Sequence, residues 1–169
     1  CENVTINRGT AAKGKTCVGS GNLLMESVHV AHDAFVGNDC IIGNGTKLAG
    51  EIIIDDHAII SANVLMHQFC RVGGYTMVGG GTRFSQDIPP YTICAREPVA
   101  YCGLNLVGLR RRGFSNELIE NIHNAYRIIY QGGVPLNEAL QKVREEVPAS
   151  PEINYIIEFI ENSKRGFVH

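Results

Sequence analysis

Two histidines and an aspartate stand together in His29-Val30-Ala31-His32-Asp33. An imidazole titrating at about pH 6.5 suits general-base work, and a neighbouring carboxylate can orient it and stabilise its protonated form. Further along, Leu48-Ala49-Gly50 offers a glycine N–H that can approach a developing oxyanion with no side chain in the way. Met66-His67-Gln68-Phe69 adds polar donors and acceptors. A base, an oxyanion donor and polar positioning groups on one edge would suit acyl transfer. The competing reading makes His29 and His32 ordinary outward polar residues, and spacing alone leaves both open.

What would bring these residues to one edge is a rhythm of six. Every sixth residue from Val18 to Phe84 is apolar, and Ala12 and Ile6 extend the register to fourteen hexads, Ala12 being its weak member. A short period of this kind predicts a parallel β-helix, each repeat a short strand plus a corner. The anchor and the residue two before it should face inward, and the residue between them outward. Small residues after the anchor, such as Gly19, Gly37, Gly43, Gly73 and Gly79, are expected to make the bends through unusual backbone angles. With three hexads to a coil, residues 18 apart stack, which puts His32, Gly50 and Gln68 in one column. Glu51 then stacks on Asp33, and two adjacent carboxylates should raise each other's pKa. The outward column His29, Lys47, Leu65, Arg83 is mostly basic, and Leu23, Ile41, Ile59, Met77 is apolar. That apolar column reads as an oligomer interface, as a groove for a long-chain ligand, or as both if the groove lies between subunits.

Three divisions are expected: a β-helix over 1–90, a connector over 91–114, and a helical domain over 115–169. Pro89-Pro90 should end the repeat, and residues 91–109 should be irregular. Ser115 predicts a helix N-cap before a stripe that Gly132-Gly133 stops; a second helix should cover Pro135 to Val147. A third should start at Ser150-Pro151 and run to Gly166. The chain has 15 basic and 17 acidic residues, so no nucleic-acid partner is expected. No apolar run approaches the ~20 residues of a membrane span, and a cytoplasmic location is expected. The six cysteines show no paired spacing, and Cys40 and Cys70 read as small buried filler. Because Cys1 opens the chain in mid-repeat, upstream coils are expected.

The repeat resembles the left-handed parallel β-helix of hexapeptide-repeat acyltransferases. The motifs HVAHD (29–33), LAG (48–50), MHQF (66–69) and NLVGLRRRGF (105–114), followed by helices, more closely resemble the UDP-N-acetylglucosamine O-acyltransferase family of lipid A biosynthesis. The resemblance implies a homotrimer with no cofactor and no metal. It implies that His32 is the general base on the 3-hydroxyl of UDP-N-acetylglucosamine, that Asp33 supports it, and that Gly50 serves the oxyanion. The donor would be a 3-hydroxyacyl chain on acyl carrier protein. His29, His67 and Gln68 match substrate contacts, as do Asn105, Arg111 and Arg112 in the nucleotide-binding stretch, where guanidinium forks suit a diphosphate. Glu51 departs from the histidine often found after LAG, which bears on the sugar contacts. Gly80 matches the position that measures the acyl chain, with Met77 beside the groove. A glycine there implies a chain of roughly fourteen carbons or more, each buried CH₂ contributing about 0.8 kcal/mol.

Three rivals share the architecture. A γ-class carbonic anhydrase would need a third histidine, but the required positions hold Val72 and Ala62. A related transferase could use acetyl-CoA or acylate an amine. A non-catalytic β-helix scaffold or nucleotide-sugar-binding module would need no base at all.

Overall fold

The computed structural model describes residues 1–169. From Thr5 to Phe84 the chain forms thirteen strands of two residues each, wound into a parallel β-solenoid with three sheets. Above the first coil the pairing register is 18 residues throughout, as in His29↔Lys47, Phe35↔Ile53 and Ile41↔Ile59. Backbone bonds such as His29 N–H to Thr46 O (3.0 Å) and Ala31 N–H to Leu48 O (2.9 Å) join coil to coil. Burying one anchor contributes roughly 1.5–3 kcal/mol, while ordering each residue costs about 1–2 kcal/mol of backbone entropy. A lone hexad therefore cannot hold itself, and the ladder supplies the difference.

Both inward positions are filled as the periodicity predicts. Val30, Val36, Ile42, Leu48, Ile54 and Ile60 have no exposed surface, and neither do Val28, Cys40, Ile52, Val64 and Cys70 two places before their anchors. Burial pushes the Cys40 and Cys70 thiols up to about 11, so they stay protonated. Thr46 shares the inward position because its hydroxyl is satisfied, donating to Ser61 O and accepting from Val64 N–H.

The corners work differently from the expectation. The left-handed residue is the third after the anchor, at Ser27, Asp33, Asp39, Glu51, His57, Asn63, Phe69 and Tyr75 and at Gly21, Gly45 and Gly81. The glycines immediately after the anchors have ordinary φ. They are small because the neighbouring coil lies against them: a Cβ on Gly43 would meet Ala62 N at 2.5 Å.

Ala12 also departs from the register. Thr5 pairs with His29 and Ile6 with Val30, a separation of 24 rather than 18. One hexad has been extruded, and residues 7–16 form a loop instead of a strand. Nothing apolar but Ala11 and Ala12 could have anchored that hexad, and a methyl group buries too little to hold a strand in line.

The Pro89-Pro90 pair does not end the sheet. Ile88 bridges to Val72, and strand Thr92–Ala95 joins the six-stranded sheet beside Met77–Val78. It turns back antiparallel into Ala100–Leu104. The Thr76 and Thr92 hydroxyls both donate to Pro89 O, at 2.8 and 2.7 Å, so this junction is ordered rather than irregular.

Four helices follow, one more than expected: α1 (Leu106–Arg111), α2 (Asn116–Gln131), α3 (Leu136–Glu146) and α4 (Pro151–Glu161). Ser115 and Ser150 cap α2 and α4 through their hydroxyls. The helix α4 ends at Glu161, short of Gly166, with Asn162 as its C-cap. Gly166 (φ 70°) instead sends the chain back to the solenoid. Asp87 bridges Phe167, and Val168 joins the solenoid core at 1 % exposure. The helices share a second apolar core with Tyr91, Leu104 and Phe167. No helix is long and apolar enough to cross a membrane.

Candidate active site

His32 follows the five-stranded sheet and lies on the corner that also carries Gly50 and Gln68. Its ring rests on Gly50, where an added Cβ would lie 2.6 Å from Cε1 and 2.7 Å from Nε2. Only glycine admits the imidazole there. Gly50 is buried beneath the ring, and its N–H donates to no group within the chain.

On the other side of the ring, His32 Nδ1 lies 2.8 Å from Asp33 Oδ2. The Asp33 side chain is only 2 % exposed, while that of His32 is 46 % exposed. Burial alone would raise the Asp33 pKa, but hydrogen bonds from the His32 ring and from Thr10 outweigh it, and the carboxyl is held below its ordinary value. The mutual raising expected from Glu51 is therefore reversed at Asp33. Glu51 turns instead to Lys13, with Oε2 3.4 Å from Nζ. An ionised carboxylate only accepts, so the proton of neutral His32 belongs on Nδ1 and the lone pair on Nε2. That is the protonation pattern of a general base with its reactive nitrogen outward.

The extruded loop contributes walls that the sequence reading did not assign. His32 shares a cavity of ≈ 730 Å³ with Asn7, Arg8, Gly9, Thr10, Ala11 and Gly14. The signal was available in the poor anchor at Ala12, the one weak beat in the rhythm.

Other candidate residues are dispersed. His29 faces outward on the five-stranded sheet, its Nδ1 2.7 Å from Thr5 Oγ1. His67 and Gln68 are exposed, further along the same corner. Met77 lies on the six-stranded sheet, and Gly80 on the corner after it, beside Ala62. A Cβ at Gly80 would reach Ala62 O at 3.3 Å, so glycine also eases packing there. Arg111 and Arg112 are exposed at the end of α1, and the Arg112 guanidinium lies 6.0 Å from the Tyr75 ring, by the third corner. Asn105 is buried and caps α1: its Oδ1 accepts from Gly108 N–H, and its Nδ2 donates to Tyr75 O. His32, Gly80 and the two arginines thus occupy three different corners of one chain.

A two-residue strand repeated in sixes, with a carboxylate-oriented histidine on a glycine at one corner, defines a hexapeptide-repeat β-solenoid with a histidine-centred site. Residues 87–168 match the family profile described as UDP-N-acetylglucosamine O-acyltransferase, domain 2. The chain is 40 % identical over 168 residues to the acyl-[acyl-carrier-protein]–UDP-N-acetylglucosamine O-acyltransferase of Aliivibrio salmonicida, covering 99 % of this chain and 64 % of that protein. Against the solved UDP-N-acetylglucosamine acyltransferase of Bacteroides fragilis it is 73 % identical with a TM-score of 0.97, over 99 % of this chain and 66 % of that one. Against that of Campylobacter jejuni it is 31 % identical with a TM-score of 0.89, over 99 % and 69 %. The chain belongs to the UDP-N-acetylglucosamine O-acyltransferase family. It spans a little under two thirds of the first two relatives' lengths.

Proposed function

We propose that this chain carries the catalytic base of an O-acyltransferase that moves a 3-hydroxyacyl group from acyl carrier protein to the 3-hydroxyl of UDP-N-acetylglucosamine, the first step of lipid A biosynthesis. The observation that carries the reading is His32, oriented by Asp33 at Nδ1 and open at Nε2 above Gly50. His32 Nε2 takes the proton of the sugar hydroxyl as its oxygen attacks the thioester carbon. Gly50 N–H donates to the oxyanion that forms. Collapse of the tetrahedral intermediate breaks the C–S bond, and the departing thiolate takes the proton back from His32.

Because the candidate residues occupy three corners, we infer that the complete site lies between copies of the chain, in a homotrimer. Met77 and Gly80 of one copy would then line the acyl groove beside His32 of another, and Arg111 and Arg112 would hold the diphosphate. His29, Glu51, His67 and Gln68 would face the sugar and nucleotide. Asn105 would act by holding α1 rather than by its own side chain. A left-handed winding and a cytoplasmic location belong to the same reading.

Activity of the whole protein, wild type beside His32→Ala, tests the base. A general base contributes about 10²–10⁴-fold, so a loss below about threefold would overturn the mechanism. Offering acetyl-CoA in place of acyl carrier protein separates the related transferases, and full function in His32→Ala would mark a scaffold.

A further inference from the structure

The extruded hexad is built onto the base's own partner. Thr10 N–H donates to Asp33 Oδ1 at 2.8 Å, while the Asp33 N–H donates to Thr16 Oγ1 at 2.8 Å. The two ends of the loop thus grip one residue from both sides. Its neck is closed: a Cβ on Gly9 would lie 2.2 Å from Lys15 N. The third tie, Lys13 to Glu51, joins side chains that are 60 % and 29 % exposed, and such a pair contributes little. The loop is therefore held chiefly by Asp33, and Asp33 by the loop.

We propose that residues 7–16 are a positioning device for the reaction, in which the Thr10 N–H and Thr16 hydroxyl fix Asp33 so that His32 presents Nε2 to the sugar hydroxyl. The proposal rests on His32 being the base. Asp33 has two oxygens: Oδ2 meets the imidazole and Oδ1 meets the loop. Without the loop, the carboxylate could rotate about χ2 and take the ring with it. The cavity between loop and ring is lined by Asn7, Arg8 and Thr10 among others, side chains able to hydrogen-bond a sugar. Of the charged groups near this pair, Arg8 lines the cavity beside His32, and Lys13 of the loop pairs with Glu51 of the adjacent coil.

The register supplies a test that preserves the fold. Deleting Thr10 to Lys15 joins Gly9 to Thr16 and leaves Asn7-Arg8-Gly9-Thr16 as a corner. That corner has glycine at the left-handed position and threonine at the inward position, as at Gly45 and Thr46. The deletion should keep its circular dichroism and oligomeric state. A finer variant, Thr10→Pro, removes the N–H that binds Asp33 together with the Thr10 hydroxyl. Both should lose about 10- to 100-fold in kcat, the cost of a misplaced reacting group. Thr10→Ser, which keeps both donors, should recover most of it. With the Thr10 donors to Asp33 lost, the carboxylate binds the imidazolium more tightly, so the acid limb of kcat/KM in Thr10→Pro should move to higher pH. A loop that only stabilised the fold would leave that limb in place. Wild-type kcat with an unmoved acid limb in Thr10→Pro, or wild-type turnover in the deletion, would overturn the proposal. If His32→Ala also retained activity, the base assignment itself would fall; if His32→Ala were inactive, the loop's role alone would.

Discussion

A Cβ at position 50 would sit 2.6 Å from His32 Cε1, inside any tolerated contact, and the imidazole is what must give because it is a side chain rather than backbone. Gly50→Ala should therefore fold with nearly unchanged thermal stability while the ring swings off Asp33. The expected loss in kcat is about 10²–10⁴-fold, the full contribution of a base, read by steady-state kinetics beside a melting curve. A second residue-scale expectation concerns acid. Asp33 is held below its ordinary pKa, so its stabilising contribution is complete above the unfolded value of about 3.9 and fades as pH falls through the lower native value. Asp33→Asn should be less stable than wild type near neutrality, and melting curves of the two should converge as the solution is acidified below about pH 4. A gap that stayed constant with pH would mean that charge at Asp33 is not what folding selects.

At the scale of the corner, two glycines separate two physical demands. Gly43 has ordinary φ but faces Ala62 N, whereas Gly81 has φ 70° with nothing within 4 Å of its missing Cβ. Gly81→Asn should be nearly neutral, since asparagine enters the left-handed region readily, and Gly43→Asn should be destabilising by more than about 2 kcal/mol, since backbone would have to move. Equal effects on denaturant midpoints would refute this division. The sequence made the strands legible because alternation and a six-residue period both follow from which side chains face inward. It made His32, Gly50 and Gln68 a column for the same reason. It did not reveal which corner position is left-handed, because Asp33, His57, Phe69 and Tyr75 share no chemistry that announces it. Nor did it show the loop at residues 7–16 gripping Asp33, since backbone donors such as Thr10 N–H carry no residue signature. The hairpin after Pro89 was hidden by a proline pair that usually breaks a sheet, and here is stitched in by two threonines.

Across the whole molecule, the candidate residues are split among corners, so activity should depend on association. Dilution below the dissociation range should abolish turnover while leaving the circular dichroism of each chain largely intact, and sedimentation followed in parallel would check it. Activity in a demonstrated monomer would contradict a site shared between copies. The same scale governs stability. Val168 fills the solenoid core after the chain has passed through all four helices, and Tyr130 of α2 donates to its carbonyl at 2.7 Å. Val168→Asp would place an unpaired charge in that core, at a cost of about 3–5 kcal/mol, and should lower Tm by roughly 10 °C.

Stacked-repeat proteins exchange energy only with their neighbours and tend to fray from an end. Here adjacent residues tie the two cores together, Phe167 packing in that of the helices and Val168 in that of the solenoid. Neither unit can melt without exposing apolar surface of the other. A calorimeter should then record a single endotherm whose van't Hoff and calorimetric enthalpies agree, in spite of the one-dimensional architecture.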